Sequence, residues 1–266
     1  MSTNLHIEIR KEKTFIYTGA RAFDANLESV VFIHGAAMDH SVWVLPSRYF
    51  ARHNINVLSI DLVGHGRSTG EPETSIEGMA DWVIEVLDTI GIAKTAIVGH
   101  SMGSLVAFDV ARRYTDRIRS LTLVGSALPM AVSDPLLNSS KANSHDAIDM
   151  LTYWGYSKAA QMGGNQSPGM WMVGGTMRLL ENAAPGVLHN DLNACNEYRI
   201  DADQEPSVNV PTLLILGNRD IMTPPRNSTV LKQLLPNSRT TILDGSGHSL
   251  MAERPNLLLD ALITNI

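Results

Sequence analysis

Short, uninterrupted runs of aliphatic and β-branched residues recur along the chain, and segments of helical periodicity separate them. Residues 29–33 read Ser-Val-Val-Phe-Ile, residues 57–62 Val-Leu-Ser-Ile-Asp-Leu, and residues 95–98 Thr-Ala-Ile-Val. Three further runs lie at residues 120–124, 212–216 and 240–243. A strand that is apolar on both faces must be covered on both faces, and that is the condition of a parallel sheet sandwiched by helices. The intervening segments supply those helices. Residues 41–53 are amphipathic, and residues 76–90 place Met79, Val83, Val86, Leu87 and Ile90 at helical spacing, with Thr74 or Ser75 as a cap and Gly91 as a stop. Residues 104–114 interleave Leu105, Val106, Phe108 and Val110 with alanine, and residues 256–266 form a last helix after Pro255. Residues 6–10 and 14–17 read as an antiparallel opening pair. The pattern predicts an α/β fold, a mostly parallel sheet of the eight-stranded type with helices on both faces.

The rhythm breaks between about Ser126 and Glu205, where no strand is legible. We read residues 126–205 as a mainly helical cap inserted into a core made of residues 1–125 and 206–266. Ligands of open α/β sheets bind outside the carboxyl ends of the strands, and an insertion at this point lands there. The competing reading is an extra helical layer that meets no ligand.

Composition excludes several classes of partner. The net charge is −6 and no basic tract is present, which argues against nucleic acid and anionic membranes. No apolar stretch is long enough to span a bilayer, and residues 1–6 lack the basic and apolar regions of a signal peptide. Cys195 is the only cysteine, so no disulfide can form within the chain. A cytoplasmic protein acting on a small molecule is the expectation; oligomeric state is not legible. Gly64-His65-Gly66 suggests a dinucleotide loop, but Thr69 stands where the third glycine belongs. No Walker motif and no metal-ligand spacing occurs, so neither a cofactor nor a metal is expected.

Gly99-His100-Ser101-Met102-Gly103 carries the chemistry. A serine between a buried strand and a helix sits on a tight turn, and the flanking glycines avoid collisions with nearby backbone. Such a hydroxyl needs a base within hydrogen-bond reach and a carboxylate to orient that base. His248 is the favoured base, in the glycine loop Gly245-Ser246-Gly247-His248 after an apolar run. Asp220, in Leu216-Gly217-Asn218-Arg219-Asp220, is the favoured carboxylate, and Asp244 is its rival because it is nearer His248 in sequence. Asp61 and Arg67 are expected to brace a loop through hydrogen bonds and an ion pair. His34, His65 and His100 are expected to be buried supports.

These motifs, with His34-Gly35 and Asp61-Leu62-Val63-Gly64-His65-Gly66-Arg67-Ser68, resemble those of capped, single-domain α/β-hydrolase-fold enzymes. The order Ser101, Asp220, His248 is that family's order. The resemblance implies an oxyanion hole built from the backbone N–H groups of Met102 and Ala36. It also implies a pocket, for which Ala37, Trp154, Met170, Trp171, Met172 and Leu250 are the candidates. The expected activity is hydrolysis of esters of small to medium apolar acids through an acyl-enzyme on Ser101. The alternatives are C–C bond hydrolysis, lactone opening or perhydrolysis by the same three residues, or a ligand receptor on the same fold. Dehalogenases and epoxide hydrolases of this fold carry Asp where Ser101 stands.

Overall fold

A computed structural model of the protein describes residues 4–164, 166, 169–201 and 207–266; the expected boundary between residues 205 and 206 lies outside the described residues. The chain opens with β1 (Leu5–Ile9) and β2 (Glu12–Tyr17), then β3 (Ser29–Ile33), α1 (Val44–Arg52), β4 (Asn56–Ile60), α2 (Ile76–Ile90), β5 (Thr95–His100), α3 (Met102–Arg113) and β6 (Ile118–Val124). Five helices follow: α4 (Asp134–Lys141), α5 (His145–Gly155), α6 (Lys158–Gln161), α7 (Met172–Glu181) and α8 (Val187–Glu197). The chain ends with β7 (Thr212–Gly217), α9 (Thr229–Leu234), β8 (Ser238–Leu243), α10 (Leu250–Glu253) and α11 (Pro255–Ile263).

The eight strands form one sheet in the order β1-β2-β4-β3-β5-β6-β7-β8. The first two pairings are antiparallel, and the rest are parallel. Arg10 and Lys11 both take positive φ, 51° and 71°, which gives the β1–β2 hairpin a turn of matching twist. Side chains alternate across each parallel strand, and both sets find an apolar layer. Val31 and Ile33 pack in one cluster with Met79, Val83, Leu105 and Phe108. Val30 and Phe32 pack in the other with Trp43, Phe50, Leu258 and Leu262. That double burial explains why these strands read as unbroken apolar runs.

From β3 the chain steps to β4 on one side and to β5 on the other, so the strand order reverses between β3 and β5. A crevice opens at the carboxyl ends of strands at such a reversal. The loops after β3 and β5 both begin there, and helices α4–α8 join β6 to β7 above it.

Two local expectations need correction. The helix expected over residues 41–53 opens as a tight turn at His40–Trp43, where Asp39 accepts the Ser41 N–H at 2.8 Å; α1 proper starts at Val44. Pro46 has no N–H to return to Val42, so regular α-helical bonding begins later. The Asp61–Arg67 ion pair is not made. Asp61 accepts the Arg67 backbone N–H at 2.9 Å and binds the His40 ring at 2.8 Å, while the Arg67 guanidinium lies over Phe15. Helix α9, after Pro224-Pro225, was not anticipated. No helix among the described residues is long and apolar enough to cross a membrane.

Candidate active site

Ser101 joins β5 to α3 with φ 52° and ψ −120°, a conformation that few non-glycine residues adopt. The surroundings hold it there. Its N–H donates to the Val124 carbonyl at 3.0 Å, and its carbonyl accepts the Ser104 N–H at 2.8 Å. The glycines follow from distance. A Cβ on Gly99 would lie 1.9 Å from the Gly103 carbonyl oxygen, and one on Gly103 would lie 2.4 Å from that of His34. Strand and helix therefore approach at backbone contact. The Met102 N–H, first in α3, has no acceptor among the described residues. It also lies at the positive end of the helix dipole.

The loop after β3 turns at Gly35–Met38, where the Met38 N–H donates to the Gly35 carbonyl at 3.1 Å and Ala37 takes φ 54°. His34 braces this turn from inside the core. Its Nδ1 lies 2.9 Å from the Gly35 carbonyl, and its Nε2 accepts the Leu62 N–H at 3.2 Å. Those partners require a neutral ring protonated on Nδ1. Full burial and the neighbouring His65 push its pKa down to about 4, in agreement. The Ala36 N–H, like that of Met102, has no acceptor among the described residues.

His248 enters from the loop after β8. Its Nδ1 lies 2.8 Å from Asp220 Oδ2 and 3.1 Å from Thr223 Oγ1. Asp220 is buried at the end of β7, and it accepts the N–H groups of Met222 and Thr223 at 2.8 Å and the Thr223 hydroxyl at 2.7 Å. Burial alone would raise the Asp220 pKa, but the His248 ring and the Thr223 donors outweigh it and bring it down to about 2. The carboxylate is thus ionised and fully bonded. The base loop is held by Glu253, which accepts the Gly247 N–H at 2.8 Å, and by His100, whose Nε2 lies 2.9 Å from the His248 carbonyl. Burial, followed by the nearby His248, pushes His100 down to about 3, so a neutral ring sits beside His248. His248 Nε2 is buried and has no hydrogen-bond partner among the described residues. An imidazole in this setting can take up a proton at Nε2, and Asp220 would stabilise the resulting charge.

Ser101, His248 and Ala36 line one cavity of about 210 Å³ between the strand ends and the helices α4–α8. Leu136, Leu151, Trp154, Leu180 and Leu192 supply its apolar wall from above. Among the described lining residues there is no Asp, Glu, Lys or Arg.

The structure places Ser101, His248, Ala36 and Trp154 on one cavity, with Asp220 bonded to His248 and Met102 following Ser101; no Ser101–His248 hydrogen bond is made among the described residues, and the other pocket candidates lie elsewhere. Met170, Trp171 and Met172 line a different groove, shared with Leu45 and Met251. Met170 and Trp171 are exposed there, Trp171 by 70%, whereas Met172, first in α7, is buried against Tyr156 and Ala160. Ala37 is buried against Leu180 and Val187, because the turn points its side chain away from the cavity. Leu250 is fully buried in the core beneath the sheet. Asp244 is exposed and accepts the Asn218 amide at 2.5 Å, away from His248.

Two features escaped the sequence reading. Thr223 stands three residues after Asp220, a spacing at which Asp commonly caps a turn, so that signal was present. Asp191 is fully buried on α8 and accepts the Ala37 N–H and the His65 ring, both at 2.8 Å. A charged residue four positions from Val187 and from Cys195, on the buried face of a helix, was its only trace.

With this geometry established, the comparisons assign a class. The model of the alpha/beta hydrolase fold matches residues 28–255, and the chain belongs to that family. It is 24% identical to an (E)-2-((N-methylformamido)methylene)succinate hydrolase of Acinetobacter baylyi, over 73% of each chain. The crystal structure of an enol-lactonase from Burkholderia xenovorans superposes with a TM-score of 0.85 at 20% identity, covering 98% of both chains. A thermophilic esterase superposes with a TM-score of 0.80 at 25% identity, covering 98% of this chain and 96% of that one. The protein is a hydrolase of the α/β fold.

Proposed function

We propose that the protein hydrolyses carboxylic esters with uncharged, apolar acyl groups through an acyl-enzyme on Ser101. The observation that carries this reading is the meeting of three unsatisfied groups at one cavity. These are the Ala36 N–H, the Nε2 of His248 and, next to Ser101 in the chain, the Met102 N–H, none with a partner among the described residues, with Ser101 and His248 lining the same cavity. Buried polar groups in folded proteins are almost always paired, so a cluster of unpaired ones marks a place kept for a substrate.

In the mechanism, His248 Nε2 takes the Ser101 hydroxyl proton as the oxygen attacks the ester carbonyl. The two amides receive the carbonyl oxygen as it becomes an oxyanion, each worth roughly 3 kcal/mol in the transition state. His248, now an imidazolium stabilised by Asp220, protonates the departing alkoxide. A water then gives its proton to His248 and attacks the acyl-enzyme, and as the acyl–oxygen bond breaks His248 returns that proton to Ser101 Oγ, which releases the acid and restores the enzyme. Neutral His100 places no positive charge against the imidazolium. Thr223 holds Asp220 in the orientation that receives Nδ1–H.

The substrate class follows from the cavity wall. A succinate substrate, named for the Acinetobacter relative, carries carboxylates, and no cationic side chain among the described lining residues would meet one. The volume of about 210 Å³ suits a short to medium acyl chain under the cap formed by α4–α8. The test is Ser101→Ala assayed on p-nitrophenyl butyrate. The variant should retain its melting temperature and lose turnover by a factor of at least about 10³. Normal turnover by the folded variant would overturn the mechanism.

A further inference from the structure

The turn that presents the Ala36 N–H is also held from outside the core. Asp191 reaches down from α8 and accepts the Ala37 N–H at 2.8 Å. The same oxygen, Oδ2, lies 2.8 Å from His65 Nε2. The other His65 nitrogen, Nδ1, lies 2.9 Å from the Val63 carbonyl. A carboxylate and a carbonyl can only accept, so both ring nitrogens carry protons and His65 is an imidazolium. Burial opposes that charge, but Asp191 and the Val63 carbonyl outweigh it and hold the His65 pKa above its ordinary value. Three other titratable groups face the pair. The neutral His34 ring lies 5.0 Å from the His65 ring, ionised Asp61 adds favourable charge, and the Cys195 thiol, one turn along α8, is kept neutral by burial and the Asp191 charge.

A buried ion pair is a weak source of stability, because desolvation offsets most of the attraction. This one lies at a specific peptide. Ala37 holds φ 54° without being glycine, and the Ala36–Ala37 peptide could rotate to relieve that strain. Asp191 ties down its N–H. His34 holds the carbonyl of Gly35, whose peptide carries the Ala36 N–H. The turn is gripped on both sides of the one amide that is left free. His65 has a second effect: an uncompensated carboxylate next to an oxyanion site would oppose the charge that develops there, and the imidazolium cancels it.

We propose that the His65–Asp191 pair is a positioning device, through which the helical cap holds the oxyanion turn in its working orientation and keeps it electrically neutral. It rests on the reading of Ser101 as nucleophile. Asp191 touches no substrate; it acts through the Ala36–Ala37 peptide. A bare hydrophobic contact between cap and turn would give attachment without fixing the direction of an N–H.

The experiment compares Asp191→Ala, Asp191→Asn, His65→Gln and Ser101→Ala in the full chain. It reads kcat and KM on p-nitrophenyl butyrate, thermal melting, and the inhibition constant of an alkyl trifluoromethyl ketone. That ketone forms a tetrahedral adduct whose oxygen occupies the oxyanion site. Asp191→Ala should lower kcat about 10- to 100-fold, leave KM within about threefold, and weaken the ketone in proportion to kcat/KM. Asp191→Asn keeps an acceptor for the Ala37 N–H and should recover most of that loss. His65→Gln leaves the carboxylate uncompensated and should lower kcat about tenfold, and adding Asp191→Asn should partly restore it. A folded Asp191→Ala with kcat and ketone affinity within twofold of the parent overturns the proposal. Should that variant fail to fold, the same result from folded His65→Gln overturns it. An active Ser101→Ala would instead overturn the reading on which the proposal stands.

Discussion

Replacing Asp220 by Asn changes one atom, and the surrounding hydrogen bonds dictate the consequence. Asp220 Oδ1 accepts the N–H groups of Met222 and Thr223, and only the amide oxygen of Asn can take that place. The new NH₂ must then occupy the position of Oδ2, facing the Thr223 hydroxyl and His248 Nδ1. To meet a donor there, Nδ1 must give up its proton and become an acceptor. The ring proton moves to Nε2, the nitrogen that receives the Ser101 proton in the proposed mechanism. Charge loss adds to the wrong tautomer. The His248 ring and the Thr223 donors hold the Asp220 carboxylate well below its ordinary range, and the neutral amide offers no such charge to an imidazolium. Together the two effects predict a fall in kcat of roughly 10³- to 10⁴-fold with KM little changed. Asp244→Asn, at an exposed carboxylate bonded to Asn218, should stay within about twofold. Steady-state hydrolysis of p-nitrophenyl butyrate measures both, and labelling of Ser101 by a fluorophosphonate should slow in parallel for Asp220→Asn alone. A folded Asp220→Asn within tenfold of the parent would refute the tautomer argument, and an equal loss in Asp244→Asn would refute the assignment of the carboxylate.

Two further predictions concern the scaffold. Gly99→Ala places a methyl 1.9 Å from the Gly103 carbonyl beneath a helix buried along most of its length, and should destabilise the fold by more than ~3 kcal/mol; Gly91→Ala meets nothing within 4 Å, has only its φ of 81° against it, and should cost about 1 kcal/mol. Equal melting temperatures for the two variants would contradict the close-approach argument. Acid should destabilise the protein before most carboxylates titrate, because the unfolded chain protonates His34 and His100 near pH 6.5 while the folded one resists down to about 4 and about 3. Between pH 6.5 and 4.5 each should contribute roughly 2–3 kcal/mol of loss, whereas the raised His65 keeps its contribution there and loses it only as pH rises through its folded value. Urea unfolding at several pH values measures this, and a flat profile over that interval would count against the buried neutral rings.

The strained turn at Ser101 was legible because its requirements are local. Five consecutive residues must supply two missing side chains and one hydroxyl, and no other part of the chain can substitute for them. The Asp220 and His248 loops were legible for a related reason, since each follows an apolar strand in a fixed order along one sheet. Thr223 could have been read from its spacing to Asp220. The cavity wall could not. Helical periodicity shows that residues 145–155, 172–181 and 187–197 each have an apolar face, but every such face fits any other. Trp154 turned inward whereas Met170 and Trp171 did not, and nothing in their immediate sequence separates them.

The sequence by itself determined the sheet, its two apolar layers and the order of Ser101, Asp220 and His248 along it, because strand burial and tight turns are written in neighbouring residues. Tertiary structure alone decided which insertion residues face Ser101 and what holds the turn opposite it. Asp191 lies 126 residues from His65 and 154 from Ala37. Their meeting depends on how α8 docks over the strand ends, and docking is set by the fit of whole apolar faces, which no local pattern encodes.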